Sequence, residues 1–467
     1  MSILSVLNIG ALAMGAQQQA VQTAGHNLAN VDTPGFARQR VNLATAVPVN
    51  TGPFFLGQGV HAESITGVVD NFLEAQLVTL NGNLGSAEAE HRALVQVADA
   101  FPTSEGSAIG PALDAFFGAL SELANNPAGQ AERVNLLGRA RALGDTLRHT
   151  RETLTTVQAD LDLALAATVR RVNVLLPQIA ALNGQITTGE SSGARANDFR
   201  DQRQRLLQEL SHLTGATVFE QSDGQVNVQV DGVLLVSGTQ AASLDDSSLN
   251  PSGLRVVTYK SPAGTRFDAT ALLTKGEIGS LILTRDTTIP GFLGTLDQFA
   301  KTLVDVVNAQ HALGFDLNGT AGGDFFMPIA AVAGAAGLVA VDSAIVADPR
   351  RIAAAQTAAG APGDNRNALA LVNLQTTTQA ALGNLSLGDY FRALVGNVGQ
   401  QVQSSQDAFT FQQSLLTQTQ ARRESLSGVN IDEEMTNLIK FQRAFEAASR
   451  LIQVGDEMYQ SVIEMVR

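Results

Sequence analysis

Few residues in this chain are spaced for chemistry. Gly189-Glu190-Ser191-Ser192-Gly193 has the G-x-S-x-G spacing of a serine nucleophile elbow, which needs a strand before it and a helix after. Here a helical pattern precedes it and the flexible "TTGESSGARAND" surrounds it, so a surface loop is expected. "DLNGTAGGD", from Asp316 to Asp324, hints at a calcium loop. It lacks the glycine at position six and the glutamate at position twelve, which points to a glycine turn. The six histidines are scattered with no H-E-x-x-H pair, and zero cysteine removes disulfides, thiol catalysis and cysteine metal sites together. No metal, cofactor or catalytic residue is assigned. Among 44 acids a pair of carboxylates in a cleft stays open as an alternative, and a secreted peptidoglycan hydrolase would need one.

The elements that would have to position any site are more informative. The first thirty residues lack the basic and apolar regions of a cleavable signal. Instead Leu4, Leu7, Ala11, Met14, Gln18, Val21, Gly25 and Leu28 alternate spacings of three and four, forming one seam of a helix. "NLANVDTPGF" then stops that helix. Asn30, Asp32, Thr33, Pro34, Gly35 and Phe36 form the turn motif: Pro34 excludes helix, and Pro-Gly at the centre suits a type II turn. "RQRVNLA" beyond it alternates as an extended segment does.

At the other end Leu438, Phe441, Phe445, Ala448, Ile452, Gly455, Tyr459, Val462 and Val466 make a heptad seam. Asn430 and Glu433 are spaced as a capping box ahead of it. The economical arrangement pairs the chain's two ends, and short seams of this kind are expected to stay mobile until neighbouring copies bury them. The residues assigned to that assembly interface are Leu4, Leu7, Met14, Val21, Leu28, Leu438, Phe441, Phe445, Ile452, Tyr459 and Val462.

Between the ends the fold class is mainly α with an inserted β domain: terminal coiled-coil arms, a helical-bundle body and an outward β-meander. Expected boundaries are 1–84 for the N-terminal arm, 85–215 and 291–426 for the two parts of the helical body, 216–290 for the β domain, and 427–467 for the C-terminal helix. The polar "LNGNLGSAEAE" after Leu80 reads as a linker, and Pro177 is expected to kink or interrupt a long helix. A net charge of −14 disfavours nucleic acid and anionic membrane as partners. The longest apolar run, 329–341, is too short to span a bilayer, which needs ~20 residues.

"NLANVDTPGFARQRV" resembles the motif shared by axial proteins of the bacterial flagellum, and "SGVNIDEEMTNLIKFQRAFEAASRLI" resembles the version in the hook-associated protein 1, or hook-filament junction, family. "DAFFGALSELANNP", "ANDFRDQRQRLLQELSHLTG" and "HALGFDLNGTAGGDFF" are similar to that family too. Phe36, Phe441 and Phe445 stand where the family often has tyrosine. The resemblance implies a secreted structural protein, exported by the flagellar type III apparatus with its uncleaved N-terminal region as signal. It also implies location at the hook-filament junction and self-assembly with neighbouring copies. The implied partners are the hook protein, the second junction protein and a cytoplasmic export chaperone at the C-terminal helix. A hook or distal rod protein is the alternative within the same class.

Overall fold

A computed structural model describes residues 3–102, 108–191 and 193–466, apart from the side chains of Ile3 and Val466. Helix α1 (Ile3–Ala29) opens the chain and is followed by strand β1 (Gln39–Thr45), the short strands β2 (Val49–Asn50) and β3 (Phe55–Leu56), and β4 (Val60–Gly67). β1 and β4 pair antiparallel from Gln39↔Gly67 to Thr45↔Val60, and β2–β3 close the far end of that hairpin. The chain returns as α11 (Ile431–Val466), which packs along α1. These elements form a terminal arm.

The body begins with α2 (Asn71–Asp99), capped by the Asp70 carboxylate, which accepts from the Phe72 and Leu73 amides. α2 runs straight through Leu80–Glu90, so the expected linker is helix, and the expected 84/85 boundary falls inside it. Its glycines have a packing reason: a Cβ at Gly85 would sit 1.9 Å from the His212 carbonyl oxygen. α3 (Ile109–Asn125), α4 (Gln130–Glu190) and α5 (Asn197–Thr214) follow. α4 continues through Pro177, which does not interrupt it. Leu175, Leu176 and Ile179 around that proline are fully buried, so packing offsets the lost hydrogen bond.

Two small sheets are inserted next. One has the order β5 (Thr217–Glu220), β6 (Val226–Val230), β7 (Val233–Ser237), β8 (Gln240–Ala241). The other places β10 (Arg255–Lys260) between β9 (Ser243–Leu249) and β11 (Arg266–Asp268). Strand ends at Asp268 and helix returns at α6 (Gly276–Leu283), earlier than the expected limit at residue 290. A π-helical turn at Thr284–Thr288 leads into α7 (Ile289–Ala312). Short helices α8 (Ser343–Ala347) and α9 (Arg366–Asn373) sit in an irregular stretch before α10 (Leu387–Ser427).

The β sheets share one apolar core with the helices. Val228, Leu235 and Val257 lie in the same buried cluster as Leu165, Val169, Phe116 and Phe299. Two asparagines on α4 tie the sheets down as surrogate strand partners. Asn173 donates to the Leu244 carbonyl (2.7 Å) and accepts from its amide (2.8 Å), and Asn183 does the same with Val226 (2.9 and 3.2 Å). Asp162 on α4 holds the fully buried Arg285 at 2.6 Å and accepts from the Arg255 amide at 2.9 Å. The β region is therefore integral to the body rather than loosely appended to it.

Candidate assembly interface

Small residues let α1 and α11 approach closely. A Cβ at Gly10 would lie 2.6 Å from Ile452 Cγ1, and one at Gly455 would lie 2.8 Å from Leu7 Cδ2. Asn27 hydrogen-bonds Glu434, so the pair runs antiparallel, with the start of α1 beside the end of α11. Leu438, Phe441, Phe445 and Ile452 are half-buried, and Ala448 and Gly455 are buried. The C-terminal seam is thus not left bare for neighbours alone, because the same chain's α1 covers one side of it. Leu7, Met14, Val21 and Leu28 are half-buried and Leu4 is exposed. The most buried positions of α1 are smaller and lie beside that seam: Ala16, Ala20, Thr23, Ala24 and Asn27. Tyr459 and Val462 lie near and beyond the start of α1 and are exposed.

The turn motif is a docking element. Gly35 has φ +80° and the Phe36 amide donates to the Thr33 carbonyl at 3.2 Å, as a type II turn requires. Asn30 donates to the His26 carbonyl (2.9 Å), and its side-chain oxygen accepts from Thr33 Oγ1 (3.1 Å). Asp32 and Pro34 are exposed, while the Phe36 ring meets His26 edge-on at 5.4 Å. A Cβ at Gly35 would clash with Arg205 of α5 at 2.6 Å, a second reason for glycine there.

Polar groups fasten this turn to the body. Arg423 of α10 donates to the Gly35 carbonyl and to the buried Glu74 carboxylate, both at 2.8 Å. Asp201 of α5 accepts the Ala37 amide at 2.9 Å, and burial raises its carboxyl to about 6, against the lowering effects of that amide and of Arg423. Asn197 clamps β4, accepting from the Gly67 amide (3.1 Å) and donating to the Ile65 carbonyl (3.0 Å). Within the arm, Asn27 pairs with both backbone groups of Gln39, and Arg38 reaches Glu433 and Glu434 at 2.7 Å each. Asn430 caps α11 through the Asp432 and Glu433 amides, but Glu433 turns to Arg38, so the capping box is only half closed.

Sequence reasoning did not assign Asn27, Arg38, Glu74, Asp201 or Arg423 to the interface. Asn27 and Arg38 lie inside "NLANVDTPGFARQRV" and Asp201 inside "ANDFRDQRQRLLQELSHLTG", whereas Glu74 and Arg423 carried no signal and are 349 residues apart. The cavity beneath the turn, lined by His26, Asp198, Asp201 and Arg205, measures 140 Å³. Both carboxylates are engaged in holding the turn: Asp201 accepts the Ala37 amide and Asp198 accepts from Gln39 Nε2 at 2.6 Å. Ser191 donates to the Thr188 carbonyl at the end of α4, an ordinary helix-end role; Ser192 lies outside the described residues. The Asp316 carboxylate accepts from the Asn318 and Thr320 amides, which makes the start of "DLNGTAGGD" a turn closed on its own aspartate.

The comparisons fit this division. The family model described as the Flagellar hook-associated protein FlgK helical domain matches residues 94–326. The Flagella basal body rod protein model matches 7–36, which is α1 and its turn, and the Flagellar basal body rod FlgEFG protein C-terminal model matches 420–465. The chain is 30% identical to Flagellar hook-associated protein 1 of Bacillus subtilis, over 97% of this chain and 96% of that one. It is 26% identical to the Escherichia coli protein of the same name, over 99% and 100%. The solved structure of the flagellar hook junction protein FlgK from Burkholderia pseudomallei shares the fold, with a TM-score of 0.64 at 18% identity, over 76% of this chain and 100% of that one. Paired terminal helices, the docked "NVDTPGF" turn and near full-length similarity together make this chain a member of the flagellar hook-associated protein 1 family.

Proposed function

We propose that the protein is a structural component of the bacterial flagellum that joins hook to filament, assembling as one layer of subunits through its terminal arms. The observation that carries this reading is the arm itself. α1 and α11 pair within the chain, yet Leu4 and a stripe of α11 stay exposed, which is what helices stacked against neighbouring copies need. The body then sets the width of the layer around the paired helices. The neighbours in this reading are the hook protein below and the second junction protein above. Export through the type III apparatus would use the N-terminal region as its signal, and a cytoplasmic chaperone would cover the apolar stripe of α11 before export.

Electron microscopy of isolated hook–basal bodies carrying the labelled chain tests the position. A single band at the distal end of the hook is expected. Label along the whole hook would replace this reading with that of a hook protein.

A further inference from the structure

Two chain segments join the arm to the body, residues 68–70 before α2 and 428–430 after α10. Arg38 ties them together: its amide donates to the Ser427 carbonyl at 2.8 Å, and its carbonyl accepts from the Val68 amide at 2.7 Å. These bonds lie at the root of both segments and mark a pivot. Neither buried apolar cluster of the described residues includes a residue of the arm, so the arm's angle is set by the polar contacts of the turn and β4 with α5 and α10. Inside the arm the fastenings are separate, from Asn27 to Gln39 and Glu434 and from Arg38 to Glu433 and Glu434. The arm can therefore turn without coming apart.

One contact at this joint is conditional. Asp201 accepts the Ala37 amide, yet among the described residues no cation hydrogen-bonds its carboxylate. The cations nearby are committed elsewhere: Arg423 to Glu74 and the Gly35 carbonyl, Arg200 to Glu190 and Glu220, and Arg203 to the Asn183 side chain and the Gly224 carbonyl. Arg195 and Arg205 are exposed, with the Arg205 stem packed beneath Gly35. Glu74 and Asp198 add like charge on either side. His26 of α1 meets Asp198 at 3.3 Å, but its side chain is 40% exposed, so that pair is screened and contributes little. An ionised Asp201 is thus poorly compensated while the turn covers it.

We propose that Asp201 is the proton-sensitive catch of a hinge: with its proton it holds the turn on α5, and on ionising it releases the turn, so that the arm swings as one piece about Arg38. Burial, with the smaller repulsion of Asp198 and Glu74, outweighs the Ala37 amide and Arg423 and pushes the docked carboxyl up to about 6. In the released state it is solvated and returns to the ordinary carboxylate range. Docking is therefore strongest below that range and weakens as pH rises, by about tenfold between pH 5 and 7. The hinge belongs to the single chain and does not depend on which neighbours the arm meets.

The absence of cysteine allows spin labels to be placed on added pairs. Ala11→Cys with Gln178→Cys spans arm and body, and Gln18→Cys with Gln460→Cys lies within the arm; all four positions are exposed. Pulsed electron resonance on the purified full chain should show a second arm–body distance whose ratio to the docked one is about tenfold higher at pH 7 than at pH 5, while the within-arm distance stays fixed. Asp201→Asn keeps an acceptor for the Ala37 amide without the charge, and should give the docked distance alone at both pH values. In the unlabelled wild type, protection of the Ala37 amide from hydrogen exchange should be about tenfold greater at pH 5 than at pH 7, after correction for the intrinsic rate. An arm–body distance and an Ala37 protection that both ignore pH overturn the proposal, as does an Asp201→Asn chain that responds like wild type. Broadening of the within-arm distance at pH 7 would also overturn it, because the arm would then be fraying rather than turning.

Discussion

The arm and the body are held together by different physics. In the body, Phe116, Phe117, Phe325 and Phe326 meet edge-on or tilted, with ring centroids 4.9 to 5.9 Å apart, inside one continuous apolar core that also takes in the β sheets. Among the described residues the arm has no comparable core. Its helices touch through glycine and alanine, and it meets the body through hydrogen bonds and ion pairs around Arg423, Asp201 and Asn197. A dry core is unforgiving of change and fixes shape, whereas a polar joint holds orientation through a few directional contacts. The molecule thus combines a rigid block with an arm whose remaining apolar surface faces outward.

Damage to the two regions should separate. The largest effect is expected for Phe116→Ala, which opens a cavity in the body core and costs about 3–5 kcal/mol. Thermal unfolding should shift down strongly while arm contacts such as Gly10–Ile452 persist until the body melts. An unchanged melting temperature would break the comparison. Next comes Arg423→Ala, which strands the buried Glu74 carboxylate at a cost of about 3 kcal/mol. Hydrogen exchange should quicken at the turn amides of residues 33–37 with little change in α3 or α4. Equal loosening of the body would mean that the joint is not a separate unit.

A smaller, local effect is expected for Gly10→Ala. The new methyl must displace Ile452 and should cost about 1–3 kcal/mol, read as faster exchange along α11 with normal melting of the body.

Finally, pH should act on the two regions with opposite signs. His311 is buried, accepting the Ala353 amide at 2.8 Å and bonding the Gly323 carbonyl at 2.7 Å, so it is held neutral. Burial lowers its affinity for a proton and outweighs the Gly323 carbonyl, which raises it; the smaller effects of Arg133, which lowers it, and Asp324, which raises it, oppose one another. The unfolded chain takes up that proton more readily, so body stability should fall as pH drops below about 6.5. Asp201, raised from 3.8 to about 6, has the opposite linkage: its contribution is full below the ordinary carboxylate range and is lost as pH rises through about 6. Between pH 7 and 5 the Ala353 amide should lose exchange protection while the joint does not. Asp201→Asn should remove the joint's pH response and leave that of the body.

Much of this architecture was legible because helical periodicity, proline and glycine act locally. The helical run of α1 and the Pro34–Gly35 turn that stops it follow from residue spacing and backbone sterics alone. The misread segment after Leu80 shows the limit. Its glycines and asparagines look like a linker because local propensity cannot anticipate the His212 carbonyl that packs where a Cβ would be.

Only the tertiary structure decided which face of α1 is covered and what fastens the arm. Asn27, Asn173, Asn183, Asn197 and Asn308 each pair with backbone groups of a distant strand or loop, in place of a neighbouring strand. In sequence they are ordinary polar residues. Their role appears when folding brings an unpaired amide and carbonyl within reach, because a buried backbone group must find a partner and the nearest one in space need not be near in the chain. The sequence by itself determined the helices, the turn and the family; the register between the two ends and the polar joint came from what the closed chain placed side by side.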